Sequence, residues 1–191
     1  MLDEGFLYVH GRDRSLRPIV VFRPHIIHKC QATVDEVALV GHFVNKYIIS
    51  QLLVPGKVES WIMIVDVEEY STNMIPISDI KALIKIFTNF EYSHTLANVA
   101  VHVNFLIRGL WFIISPFLDP STKKKTILSG NNTHDELKNR VHPNQLLKRY
   151  GGELEDVMYY WPPYEVSNDY GIEESKLKQN DEELSLQEES K

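Results

Sequence analysis

Disulfides are the first thing this sequence rules out. Cys30 is its single cysteine, which excludes an intramolecular bridge and suits a reducing compartment. An excess of basic charge is missing too. The net charge is −6, but from Glu165 onward nine acids face three lysines, and the rest of the chain is balanced at seventeen of each sign. No basic face stands out, which argues against nucleic acid as a partner. Met1 to Arg14 carries no apolar run behind a basic start, so we expect no signal peptide. Asn131-Asn132-Thr133 matches a glycosylation acceptor, and without a secretory signal it reads as a polar turn. No Gly-rich phosphate loop and no nucleophile elbow is present, and hydrolase or dehydrogenase chemistry therefore ranks last. We find no internal repeat.

Charge is also nearly absent from one stretch, Phe105 to Leu118, where Phe105, Leu106, Ile107, Leu110, Trp111, Phe112, Ile113, Ile114, Phe117 and Leu118 leave Arg108 as the single ionisable side chain. A helix apolar nearly all round must be buried or must face something apolar. Extending the window back to Leu96 reaches spanning length. It then holds Asn98, His102, Asn104, Arg108, Gly109 and Pro116, and a central Arg costs roughly 2.5–3.5 kcal/mol on insertion scales. The strand-like opening Val99 to Val103 divides the window into two elements, each too short to span. We read no membrane span.

Along the body, strand and helix patterns alternate. Phe6 to His10 and Pro18 to Phe22 are strands around a polar turn. Thr33 with Glu36 three residues on makes a capping box for a helix whose stripe runs Val37, Val40, Val44, Ile48 and Leu52, ended by Pro55-Gly56. Trp61 to Val67 and Val99 to Val103 are apolar on both faces, as in central strands covered on each side. Between them Pro76 opens a helix with Ile80, Leu83, Ile84 and Phe87 on one face. Lys125 to Leu128 reads as a last strand, Asp135 to Val141 and Asn144 to Lys148 as short helices, and Tyr150-Gly151-Gly152 as a stop. The alternation predicts an α/β domain with a largely parallel sheet over residues 1–164. Residues 165–191 form an acidic tail rich in Glu, Ser, Lys and Gln, too poor in apolar residues to order itself.

Four blocks in register resemble the CRAL-TRIO lipid-binding domain. Asp13-Arg14-Ser15-Leu16-Arg17-Pro18-Ile19 is similar to the family's Asp-x-x-Gly-Arg-Pro-Val hairpin, and Ile64-Val65-Asp66 to its central strand. Val103-Asn104 with the apolar helix and Ser115-Pro116-Phe117-Leu118-Asp119-Pro120-x-Thr122-x-x-Lys125 resembles its most recognisable block. Leu146-Leu147-x-x-Tyr150-Gly151-Gly152-Glu153 resembles its closing motif. The resemblance implies a mixed, largely parallel sheet of about five strands flooring an apolar cavity, flanked by helices. Phe105 to Leu118 would then be a mobile gate, apolar inside to cover acyl chains and apolar outside to dip into a bilayer. It implies a non-enzymatic carrier with one bound lipid and no cofactor, cytoplasmic and peripheral on membranes. The runner-up is a protein-interaction scaffold, for example toward a small GTPase.

The implied site residues follow position by position. Trp61, Met63, Phe105, Leu110, Trp111 and Ile114 would line or cover the cavity, with Phe112 and Phe117 on the gate. Lys125 stands where the family's phosphatidylinositol binders place a lysine on phosphate, and Tyr92 and His94 fall in their headgroup run. Departures are equally specific. Leu16 replaces the hairpin Gly, Glu69 the Gly after the strand Asp, and His94-Thr95 an acid-Arg pair, while Trp61 and Met63 replace small hydroxyl residues that hold phosphatidylcholine. The helical lead-in usual before the first strand is also missing, so the chain reads as a fragment, a short gene product, or a domain without that bundle.

Other constellations have plainer readings. His25, His28 and Cys30 could offer metal ligands, but no second His/Cys pair sits at finger spacing. Cys30 with His28 lacks an oxyanion motif. Asp66, Glu68 and Glu69 at a strand end want a partner acid that nothing singles out. Lys123-Lys124-Lys125 is either a solvated turn or a contact to anionic lipid worth ~1 kcal/mol per charge.

Overall fold

The structure is a computed structural model and describes residues 1–89, 94–130 and 134–172. Five strands form one sheet in the order β1-β2-β3-β4-β5. The first pair is a hairpin, β1 (Leu7–Arg12) antiparallel to β2 (Pro18–Phe22). Its turn is held by Asp13, whose Oδ1 accepts from the backbone N–H of Ser15 and of Arg17, both at 2.8 Å. Leu16, which stands where the family has glycine, sits at φ 61°, a left-handed conformation that costs an ordinary residue about 1–2 kcal/mol. The Asp13 hydrogen bonds offset that strain. Gly11 at φ 76° bulges the end of β1, and a Cβ there would fall 2.4 Å from the Gln145 carbonyl oxygen.

From β2 the chain enters α1 (Pro24–Lys29) and α2 (Val34–Tyr47), the latter opened by the expected box with both Thr33 and Glu36 hydrogen bonds present. A wider turn, Ile48–Leu52, continues it. The parallel strands β3 (Trp61–Asp66) and β4 (Thr95–Val101) follow, separated by α3 (Ile77–Asn89). Next come α4 (Phe105–Ile114), a tight turn Ser115–Phe117, α5 (Pro120–Lys125), β5 (Thr126–Leu128) and α6 (Asp135–Arg140). The strands expected to be central are central, because alternate side chains of β3 and β4 meet different layers. Trp61, Met63, Val65 and Ala100 join the cluster under α2, α3 and α4. Ile64, Val99 and Val101 join the opposite one with Leu137, Val141, Leu146, Leu147 and Tyr150.

Two short helices differ from expectation. His25 to Cys30, weighed from sequence only as metal ligands or a nucleophile pair, is mostly α1, started by Pro24 at its first turn. The lysine run lies in the last turn of α5, capped at its start by Asp119, where cations complement the helix dipole. Asn131 to Thr133 lies outside the described residues.

One carboxylate closes the lower layer. Asp66, fully buried at the end of β3, accepts from Tyr150 Oη at 2.8 Å and from the Glu68 N–H at 3.1 Å, and its Oδ1 lies 3.0 Å from His102 Nδ1. Arg149 Nη1 stands 3.7 Å away. Burial pushes this carboxyl up, but the hydrogen bonds from Glu68, His102 and Tyr150 outweigh it and leave it below the ordinary value. Tyr150 thereby locks the closing motif to the sheet. Gly152 in that motif has no alternative, since a Cβ would lie 1.9 Å from the Leu146 carbonyl oxygen.

Past Gly152 the chain returns as a strap. Tyr160 packs on Tyr8 with centroids 4.9 Å apart, Trp161 on Phe43 and Tyr47, and Tyr164 on His10. Of the stretch expected to form a tail, Glu165 to Ile172 is described. Gln145 Nε2 donates to the carbonyls of Ser167 and Asp169, and Arg14 to that of Gly171.

Acid should therefore act in two stages. Burial lowers the His10 pKa to about 4, so its stabilisation is complete above the unfolded value near 6.5 and is lost as pH falls toward 4. The depressed Asp66 contributes above its unfolded value near 4 and loses its contribution below it. Asp66→Ala should cost about 3–5 kcal/mol at pH 7 by stranding its donors, and the gap to the unmodified protein should narrow below about pH 4. Urea unfolding across pH tests both; a gap of constant size would mean that the carboxylate's charge is irrelevant.

Candidate lipid cavity

Above the sheet the packing is incomplete. Between the β2–β5 floor and the layer of α2, α3 and α4 lies a cavity of about 280 Å³. Met63, Val65 and Ala100 contribute to the floor, Val37 and Leu83 to the sides, and Ile107, Leu110, Trp111 and Ile114 to the roof. Among the described residues, no charged side chain and no histidine lines it. The polar groups are Asn45, Tyr70, Thr95, Asn98, Thr122 and Thr126.

The roof is set by local sequence. Asn104 caps α4 by accepting from the Ile107 N–H at 3.0 Å. At 100° per residue, Ile107, Leu110, Trp111 and Ile114 then fall on one side, and Ile107 and Leu110 are buried. The other side is apolar as well and meets solvent: Phe105 is 80 % exposed, Phe112 77 %, Leu106 51 %, and Ile113 and Phe117 49 % each. Lys81 of α3 places its ammonium 4.2 Å from the centre of the Phe117 ring.

Trp61, Met63, Leu110, Trp111 and Ile114 thus stand at the cavity, whereas Phe105 does not. It is the first residue of α4 and points away from the Ile107–Leu110 side, so the expectation that it covers the pocket is corrected by helix phase. The headgroup run is dispersed. Tyr92 lies outside the described residues. His94 stacks on Trp61 at 5.8 Å and its Nδ1 lies 2.8 Å from the Glu59 carbonyl oxygen; it is not a lining residue. Lys125 donates to the Thr95 carbonyl at 2.8 Å, stitching α5 to β4, and does not line the cavity either. Asn98 and Thr126 were not singled out from sequence as site residues, although a polar Asn98 alternating with Ala100 in an apolar strand is a readable signal.

The acid cluster at the strand end has a different role. Asp66, Glu68 and His102 bring possible ligand atoms within 4.8 Å of one another, but the Arg149 guanidinium lies 3.7 Å from Asp66 and 3.5 Å from Glu68. The guanidinium of Arg149 thus stands against the same two carboxylates. His25, His28 and Cys30 form no such group among the described residues. His25 lies 3.8 Å from Glu69.

A largely parallel sheet, with a helix that is apolar inside and out packed over an uncharged pocket, defines an α/β domain with an apolar pocket on one face of the sheet. Comparison with known proteins makes the class specific: a family model described as CRAL/TRIO domain matches residues 2–152, and the chain belongs to this lipid-binding and lipid-transfer family. CRAL-TRIO domain-containing protein C3H8.02 of Schizosaccharomyces pombe is 24 % identical over 149 residues, 78 % of this chain and 32 % of that protein. The crystal structure of Sfh5 matches with a TM-score of 0.64 at 17 % identity, over 83 % of this chain and 62 % of that one. The chain thus spans about a third of the length of the curated relative. No helix among the described residues is long and apolar enough to cross a membrane.

A side chain that fills the void should leave the fold intact and abolish uptake of an apolar guest. Val65→Phe on the floor should change stability by less than about 1–3 kcal/mol while removing the fluorescence gain of prodan, a small neutral naphthalene dye. Undiminished dye binding would place the guest elsewhere.

Proposed function

We propose that the protein is a non-enzymatic carrier that encloses one apolar lipid and presents it to membranes through α4. The observation that carries this reading is the outer face of α4, apolar and exposed while its inner face roofs an uncharged cavity. Burying a large apolar side chain is worth about 1.5–3 kcal/mol, so two inserted phenylalanine rings supply about 3–6 kcal/mol before costs. That is the scale of marginal, reversible membrane binding, which suits a carrier that must leave again. Inside, each buried methylene adds about 0.8 kcal/mol, so affinity needs no charged contact. The carrier works in the cytosol and rests on membranes peripherally. The alternative, a scaffold for a protein such as a small GTPase, is supported by the replacement of the family's headgroup contacts at Trp61, Met63, His94 and Thr95. A co-purifying lipid in native mass spectra favours the carrier and a clean apo mass the scaffold.

Phe112→Asp should leave thermal stability within about 0.5 kcal/mol, because exposed positions tolerate change; Phe117→Asp, which also loses the ring under Lys81, should cost about 0.5–1 kcal/mol more; each should abolish lipid transfer between vesicles. Leu110→Asp, on the inner face, should unfold or severely destabilise the protein by burying an unpaired charge. Unfolding of the Phe112 variant would mean that α4 is ordinary core; full transfer would mean that its outer face does not meet the bilayer.

A further inference from the structure

We infer that the space between the β1–β2 hairpin and the strap is a binding site of its own. Its guest is a small zwitterion, a carboxylate and an ammonium on one compact apolar body. The site shares no lining residue with the cavity under α4. Its outer wall, residues 163–170, lies beyond the residues that the family model matches.

A single buried amide builds the site. Gln145 is 1 % exposed, and its Oε1 accepts from the Arg12 backbone N–H at 3.0 Å. Its Nε2 donates to the strap carbonyls of Ser167 at 2.8 Å and Asp169 at 3.1 Å. The amide thus ties the end of β1 to the strap, and a pocket of about 280 Å³ remains beside it. Leu52 and Val166 give that pocket apolar walls, and Tyr164 and Tyr170 give it aromatic ones. Its two charged residues are Arg12 and Glu165.

Arg12 is held in place by backbone. Its Nη1 donates to the Leu16 carbonyl at 2.7 Å and to the Leu52 carbonyl at 3.3 Å. Nε and Nη2 make no hydrogen bond among the described residues, and together they form the edge of a guanidinium that fits a carboxylate with two parallel bonds. A fork already fixed in this way loses little freedom on binding. Across the pocket, Glu165 Oε1 accepts from Tyr170 Oη at 2.8 Å, which leaves Oε2 open. Arg12 and Glu165 line one pocket, yet they form no ion pair with each other among the described residues.

Two unpaired opposite charges in one pocket select the guest. An anion alone would bond Arg12 but face the Glu165 carboxylate, and a cation alone would meet the reverse. A molecule with both charges satisfies each. The tyrosine rings in the lining favour its cationic end further. At about 280 Å³ the pocket sits at the lower end of small-molecule sites, which span ~300–1,000 Å³, so the guest is of amino-acid size.

The test is calorimetric titration of the full chain with three probes that share a branched apolar body. Leucine carries both charges, isocaproate lacks the ammonium, and isoamylamine lacks the carboxylate. Leucine should bind about tenfold more tightly than either truncated probe, the ratio that one charge-assisted hydrogen bond supplies. Glu165→Gln, at an exposed position, should bring leucine down to the level of isocaproate. Arg12→Gln should bring it down to the level of isoamylamine, with circular dichroism confirming the fold; should this variant not fold, Glu165→Gln decides. Saturating prodan should leave leucine binding unchanged. Equal binding of the three probes, no saturable binding of leucine, an unchanged leucine affinity in the folded variants, or displacement of leucine by prodan each overturns the proposal. None of these outcomes touches the carrier reading, which stands or falls on dye uptake and lipid transfer.

Discussion

Everything above the sheet depends on a carboxylate below it. Asp66 terminates β3 with three hydrogen-bonded partners and a guanidinium nearby. A buried charge is tolerable only with such company. By holding Tyr150 and His102, it fixes the far ends of β3 and β4 and pins the Leu146–Gly152 segment across the lower layer. In that layer Ile64, Val99, Val101, Leu137 and Val141 are almost wholly buried. The sheet therefore has one finished face, and the other can remain incomplete without the strands losing their register.

The incomplete face carries a cost. Empty volume beside a core costs stability, because the side chains that line it forgo packing contacts. A domain is normally stable by only about 5–15 kcal/mol. The lower layer, the capped α2 and the strap offset that deficit in the empty state, and a bound guest would remove it. Loss of packing and capacity to bind are the same volume seen from two sides.

The sequence was most legible where one local cause suffices. Thr33 with Glu36 fixed the start of α2, and apolar residues on both faces identified β3 and β4 as central. Asp13 marked the hairpin even though Leu16 had replaced its glycine. What stayed hidden depends on a tertiary partner. A helix apolar all round has no readable phase, so whether Phe105 or Leu110 faces inward follows only from the Asn104 cap and the position of the floor. The polar pair Asn98 and Thr126 is assembled from β4 and β5, and no spacing within one segment announces it. Lys125 matched a family position, yet the backbone carbonyl of Thr95 lies closer to it than the cavity does. Pro24 is a start signal for α1, a helix to which no pattern in the sequence was assigned.

The strap gives the molecule a boundary that differs from that of its family. The match ends at residue 152, while Tyr160, Trp161 and Tyr164 still cover Tyr8, Phe43, Tyr47 and His10. Cutting the chain where the homology stops would bare these rings to solvent. The packed surface of the domain therefore extends past the residues that the family model matches. For anyone trimming the protein for expression, fusion or crystallisation, an end point past Tyr164 keeps these ring contacts intact.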